Sequence, residues 1–187
     1  MREHPVPHAA PHRHLSVMRG MLIGMAVLFP ACGGNGDGGS RPVGSFFGTV
    51  VPPFPADLAS GGMHVFPDDS LGRHALDLVF GPERQMLWLM RATAGDDTAA
   101  AREVVAVLDI PREEQNVSLV YTPGHCRVNG AVDPEVVALA RVTFTPVLEE
   151  IVLAWRANRA AGRFEEVPTA GVTCRNPRYP GENRNAA

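Results

Sequence analysis

The spacing of apolar residues through residues 44–175 is the feature that most constrains the fold. Short apolar runs there are interrupted by Gly, Pro, Asp and Asn about every ten residues, which is the rhythm of strands and turns. We therefore expect a mainly β fold, in which antiparallel strands form a meander, a small sandwich or a barrel.

Four strands are predicted in the first half of this region. The runs 74–80 and 85–92 are joined by Gly81-Pro82-Glu83-Arg84, a turn-type sequence that predicts a hairpin. A strand over 102–110 and another within 116–122 follow, each with β-branched residues. These neighbours predict a meander.

Residues 136–167 carry two conflicting signals. Thr145-Pro146 is a plausible cap and first turn of a helix near 146–161. Apolar residues within this range also recur at helical spacing. One helix in an otherwise β protein is therefore one alternative.

A hairpin is the other alternative for the same residues, and we favour it. Ile151, Leu153 and Trp155 alternate as they would on a strand. The loop over 158–163 then places Gly162 where a left-handed backbone is required.

The amino-terminal part of the chain has the features of an export signal. A short apolar run, 21–29, precedes Cys32, and the glycine-rich segment 33–40 follows it. Phe29-Pro30-Ala31-Cys32 resembles the lipobox of bacterial lipoproteins, whose signal peptide is removed before an acylated cysteine. The resemblance implies lipidation of Cys32. A plain secretory leader and an uncleaved anchor are the alternatives.

This resemblance divides the chain into four parts. A signal peptide over 1–31, whose true start could be Met18, is followed by a tether over 32–43. A single β-rich domain over 44–175 and a flexible tail over 176–187 complete the chain.

The charge balance argues against nucleic-acid binding. The whole chain has net charge −3, with 17 basic residues, all arginine, and 20 acidic ones. Residues 1–31 hold three arginines and one glutamate, so the remainder has 14 basic and 19 acidic residues and a net charge of −5. A nucleic-acid interface needs a basic surface instead.

Two cysteines remain after Cys32 is assigned to a lipid, and they predict a disulfide between Cys126 and Cys174. The bond would join the C-terminal segment to the sheet, and closing a loop of about 49 residues would contribute about 4 kcal/mol. A redox or metal pair is the functional alternative. The absence of a Cys-x-x-Cys spacing disfavours it, as does His125, whose side chain would point to the opposite face of the strand from Cys126.

No catalytic, cofactor-binding or metal-binding residue is predicted. The domain's histidines, His64, His74 and His125, have no motif spacing, and adjacent acidic pairs face opposite sides of a strand or lie in turns. We expect the large aromatic residues to serve the core, with a sugar- or peptide-binding platform as the alternative; they are Trp88, Tyr121, Trp155 and Phe164.

Together these observations predict an exported protein anchored through lipid on Cys32. We expect it to face the periplasm, with the outer membrane favoured by Gly33 after the cysteine, and to act as a non-enzymatic binding or accessory module. Its partner would be the membrane and an envelope protein or cell-wall component. A small periplasmic hydrolase or inhibitor-like module is the alternative.

Overall fold

The computed structural model describes residues 42–93, 101–111 and 116–180. Cys32, with the predicted signal peptide and nearly all of the predicted tether, lies outside these residues. Within them the structure is built of antiparallel strands, and its one helical element is a 3₁₀ turn at Val43–Phe46. The expectation of a mainly β fold is confirmed.

Thirteen strands form three antiparallel sheets in the described part of the chain. Sheet A has the order β1-β5-β4-β3-β2, sheet B the order β12-β11-β9-β6, and sheet C the order β10-β13-β7-β8. The strands of sheet A are β1 (Val50–Val51), β2 (Ala59–Val65), β3 (His74–Phe80), β4 (Gln85–Ala92) and β5 (Arg102–Ile110). Those of sheet B are β6 (Val117–Val120), β9 (Val136–Arg141), β11 (Ile151–Asn158) and β12 (Arg163–Glu166). Those of sheet C are β7 (Cys126–Val128), β8 (Ala131–Val132), β10 (Val147–Leu148) and β13 (Val172–Arg175).

Sheet A contains the predicted meander. The hairpin of β3 and β4 has the predicted bounds, with His74 opposite Arg91 and Phe80 opposite Gln85. Strand β5 continues from β4, as predicted from its valines. Strand β2 adds to the other side of β3 through a bulge between Ser60 and Met63.

The hairpin reading of residues 136–167 is confirmed, and the alternative of a helix near 146–161 is wrong. Strands β10 and β11 occupy that range, and β11 turns into β12 through a loop in which Gly162 has φ +61°. A strand forms here because β9 and β12 satisfy the backbone hydrogen bonds of β11. Its side chains alternate between the two cores on either face of sheet B, with Trp155 in one and Ala154 in the other.

The three sheets stack in layers with a separate core in each gap. One core lies between sheets A and B, and a second lies between sheet B and sheet C. A third core forms where the segment from Phe46 to Leu58 covers the outer face of sheet A. Sheets A and B are therefore buried on both faces, which explains why β3, β4 and β9 read as continuous apolar runs. Among the described residues no further layer covers the outer face of sheet C, where Val132 and Val147 are exposed.

No helix in the described residues is long and apolar enough to cross a lipid bilayer.

Candidate functional site

Sheet C has an apolar inner face that anchors it to the core. Leu148, Cys174 and Cys126 lie side by side on β10, β13 and β7. The two cysteines form a disulfide, with their Cα atoms 4.1 Å apart and both side chains buried. The predicted Cys126–Cys174 bond is confirmed, and it joins the C-terminal strand to the middle of the sheet.

The outer face of sheet C carries the opposite set of side chains because neighbouring residues in a strand alternate. Val147 lies opposite Arg175, and the next row contains Thr173, Arg127 and Val132. A groove of about 320 Å³ runs over this face. Its lining residues are Gly124, His125, Arg127, Pro146, Val147, Thr173, Cys174 and Arg175.

His125 lies directly before β7 and lines the groove. Its carbonyl oxygen accepts a hydrogen bond of 2.8 Å from the N–H of Arg175. The buried Cys126 follows it in the chain, so His125 belongs to the groove while Cys126 belongs to the core.

The groove is basic. Its lining contains two arginines and a histidine, and no Asp or Glu among the residues that the structure describes. Arg127 is exposed and donates one hydrogen bond of 3.0 Å to the Gly130 carbonyl. A guanidinium group carries five N–H donors, and this bond uses one of those of Arg127.

The loop over 143–146 contributes Pro146 to the wall of the groove. The buried side-chain amide of Asn176 donates to the carbonyl oxygens of Thr143 and Thr145, each at 2.8 Å. The backbone N–H of Asn176 donates to Pro146 at 2.8 Å. This loop presents Phe144 with its side chain fully exposed. A second depression shares Pro146 and Val147 with the groove and includes Glu149 and Glu150.

A second polar group lies at the edge of sheet A. The hydroxyl of Ser60 donates to both carboxylate oxygens of Asp77 at 2.8 Å, and Asp77 is 2% exposed. Burial raises the pKa of Asp77, although the bonds from Ser60 and from the Gly62 N–H oppose this, as does the nearby His64. The described contacts of Ser60 include the Asp77 carboxylate and no imidazole.

The ring of His64 packs edge-on against Tyr121, with 5.1 Å between the ring centroids. Burial, and to a smaller degree the charge of Asp77, raises the pKa of Tyr121. His64 and His125 thus have different partners, one at the edge of sheet A and the other in the groove.

A third polar group closes one end of sheet A. Asp69 accepts hydrogen bonds from the backbone N–H and the Nδ1 of His74, at 2.9 and 3.0 Å. Arg102 is fully buried nearby and donates to the Gly72 carbonyl at 2.8 Å and to the Arg73 carbonyl at 3.4 Å. These contacts fix the β2–β3 loop against the start of β5, so this group stabilises the fold.

Most of the other residues considered from the sequence have structural surroundings. Trp88 and Trp155 are buried in two different cores, while Tyr121 and Phe164 pack against the core between sheets A and B. The core assignment of these aromatic residues therefore agrees with the structure. Within the described ranges, no three His, Cys, Asp or Glu side chains are placed to hold a metal ion.

The groove residues were not identified from the sequence, except for His125 and the disulfide. Asn129 and Gly130 form the tight β7–β8 turn, with φ of 51° and 82°. An Asn-Gly pair between two short apolar segments is a strong hairpin signal and could have located β7 and β8. No sequence signal distinguishes Arg127 and Arg175 from the other arginines.

Comparisons with known proteins give no relative for this fold or its groove. No protein-family model matches the chain, no curated protein matches it, and no solved structure matches it.

Proposed function

We propose that this protein is an exported, lipid-anchored envelope protein that acts as a non-enzymatic binding module through the groove on sheet C. The observation that carries the binding role is a groove lined by two arginines on the outer face of sheet C, which no other layer covers within the described residues. Ligand sites are typically concave and have a few convergent polar groups, and this groove has that form.

The way sheet C is built supports a binding role. The disulfide holds β7 and β13 together behind the groove, and Asn176 fixes the loop beside it. Binding to a rigid surface loses less conformational entropy than binding to a mobile one. The groove is therefore preorganised for a ligand.

Two observations support an envelope location. A disulfide between buried cysteines persists in an oxidising compartment, such as the bacterial periplasm. The resemblance of Phe29-Pro30-Ala31-Cys32 to a lipobox supplies the export signal and the lipid attachment site. We propose that lipid on Cys32 anchors the domain with its groove facing the periplasm, at the outer membrane.

The experiment that tests the anchor compares the wild-type protein with Cys32→Ala in a Gram-negative host. Intact mass is measured under non-reducing conditions, and each protein is partitioned between membrane and soluble fractions. We expect a wild-type mass that begins at Cys32, includes acyl chains and lacks two hydrogens because of the disulfide. The Cys32→Ala protein should lose the acyl mass and the lipid-dependent partitioning.

An unacylated wild-type protein that is soluble, or that keeps residues 1–31, would contradict the lipid anchor. Free thiols at Cys126 and Cys174 in that protein would also remove the argument for an oxidising compartment.

A further inference from the structure

We propose that the groove on sheet C binds an organic oxyanion, a phosphate or carboxylate group on a small ligand or an envelope polymer. This inference rests on the proposed function, because it names the ligand class of the same groove.

The positions of the two arginines favour a single anionic group. Arg127 lies opposite Thr173, and Arg175 is two residues further along β13 on the same face. Such diagonal residues in antiparallel strands lie about 7–8 Å apart. Two long side chains at that spacing can converge on one oxyanion, which guanidinium groups bind with paired N–H donors.

The other lining residues complete a site for an oxyanion. Thr173 lies directly opposite Arg127 and two residues before Arg175 on β13, and its hydroxyl can donate a hydrogen bond. His125 also lines the groove, directly across the sheet from Arg175. No Asp or Glu is among the described lining residues of the groove.

The groove also indicates that the oxyanion belongs to an organic ligand. Pro146 and Val147 form an apolar wall beside the arginines, and Val147 is 43% exposed. The volume of about 320 Å³ is at the small end of the range of ligand sites. A phosphate or carboxylate with a short carbon skeleton fits both features.

A membrane surface is disfavoured as the occupant. Binding to anionic lipids depends on a polybasic surface, whereas the chain after residue 31 has a net charge of −5. The groove offers a local basic site in a protein that an anionic surface repels as a whole. A single small oxyanion therefore suits this groove better than an anionic lipid bilayer does.

The test is an NMR titration of the full-length chain carrying Cys32→Ala, with inorganic phosphate and phenyl phosphate as probes. Sodium chloride at equal ionic strength is the reference. We expect both phosphates to shift the backbone amides of Thr173 and Val147 in a saturable manner. Phenyl phosphate should bind more tightly because its ring can contact the apolar wall.

Arg127→Gln and Arg175→Gln should each weaken binding about tenfold, the loss expected for one charge-assisted contact. Arg91→Gln is the matched control, because it removes the same charge from an exposed ion pair with Glu103 on sheet A. It should leave the affinity unchanged. Thermal unfolding of each variant separates a loss of binding from a loss of folding.

Shifts no larger than those caused by sodium chloride would overturn the proposal, as would equal affinities for the groove variants and the control. Sedimentation with phosphatidylglycerol vesicles tests the other source of phosphate. We expect no binding that depends on Arg127 or Arg175. Vesicle binding that depends on them, without binding of the soluble phosphates, would replace the oxyanion with a membrane surface.

These outcomes separate this inference from the proposed function. If the protein is acylated but its groove does not bind phosphate, the proposed ligand class is wrong and the lipid anchor stands. If the protein is not acylated but binds phosphate, the lipid anchor is wrong and the proposed ligand class stands.

Discussion

His74 binds the same carboxylate oxygen of Asp69 twice, through its backbone N–H and through its imidazole Nδ1. Burial alone would raise the pKa of Asp69. These two bonds and one from the Arg73 N–H outweigh burial and lower the pKa to about 2. The ionised carboxylate also offsets the charge of the buried Arg102.

Asp69→Asn should therefore lower the free energy of unfolding at pH 7 by about 2 kcal/mol. The folded-state pKa lies below the ordinary value of 3.8. The stabilising effect of Asp69 is thus complete above that value and is lost as the pH falls toward 2. Urea unfolding at pH 7 and at pH 2.5 should show a large difference between wild type and variant at pH 7 and a small one at pH 2.5. An equal difference at both pH values would contradict the role of the Asp69 charge.

Asp77 should show the opposite dependence on pH. Its pKa is raised, chiefly by burial, so the folded state disfavours the carboxylate and stability falls as the pH rises through the raised pKa. We expect Asp77→Asn to be more stable than wild type at pH 7, since an amide oxygen can still accept from Ser60. The gain in the thermal unfolding midpoint should shrink at pH 3. Asp109→Asn, on a half-exposed side chain of β5, is the control and should change little. A destabilised Asp77→Asn protein at pH 7 would refute this prediction.

Asn176 should be important for stability, and the fully exposed Phe144 that it helps to present should not. Asn176→Ala leaves the carbonyl oxygens of Thr143 and Thr145 without their buried partner and should cost about 1–3 kcal/mol. Phe144→Ala removes no packed side chain and should stay within about 0.5 kcal/mol of wild type. Chemical denaturation measures both, and equal effects of the two substitutions would show that the loop is not held as described.

Arg159 should contribute to the attachment of the sheets. It pairs with Asp68, which follows β2, and with Glu135, which precedes β9, each at 2.7 Å. Its guanidinium also lies 4.5 Å from the centre of the Phe66 ring. Arg159→Ala should therefore destabilise the protein by about 1–3 kcal/mol.

Arg163→Ala is the matched control for Arg159, since Arg163 lies near it in the same hairpin and pairs with Glu165 in solvent. Exposed ion pairs contribute little, so this variant should lose less than about 1 kcal/mol. A loss as large as that of Arg159→Ala, measured by urea unfolding, would show that position in the hairpin matters more than contacts between sheets.

The local signals in the sequence predicted much of sheet A and the hairpin of sheet B. The β3–β4 turn could be predicted because Gly81-Pro82-Glu83-Arg84 separates two clear apolar runs. Residues 146–161 were ambiguous because the same apolar residues suit a helix and a strand. Hydrogen bonds from β9 and β12, which lie outside that range, decide between the two.

The groove is different, because residues far apart in the chain form it. Arg127 and Arg175 become neighbours only through the pairing of β7 with β13, and Val147 joins them through β10. Arginines scattered along a sequence do not show which pairs share a face. The loop of Phe144 likewise depends on Asn176, more than thirty residues later.

By itself the sequence determined the strand content, the pairing of Cys126 with Cys174 and the local turns. Turns depend on a few adjacent residues, and two remaining cysteines allow only one pairing. The tertiary structure alone decided that three sheets stack and that, in the part of the chain that the structure describes, the outer face of sheet C is uncovered and carries two arginines. Such features depend on which apolar faces bury one another, and burial is a property of the whole chain.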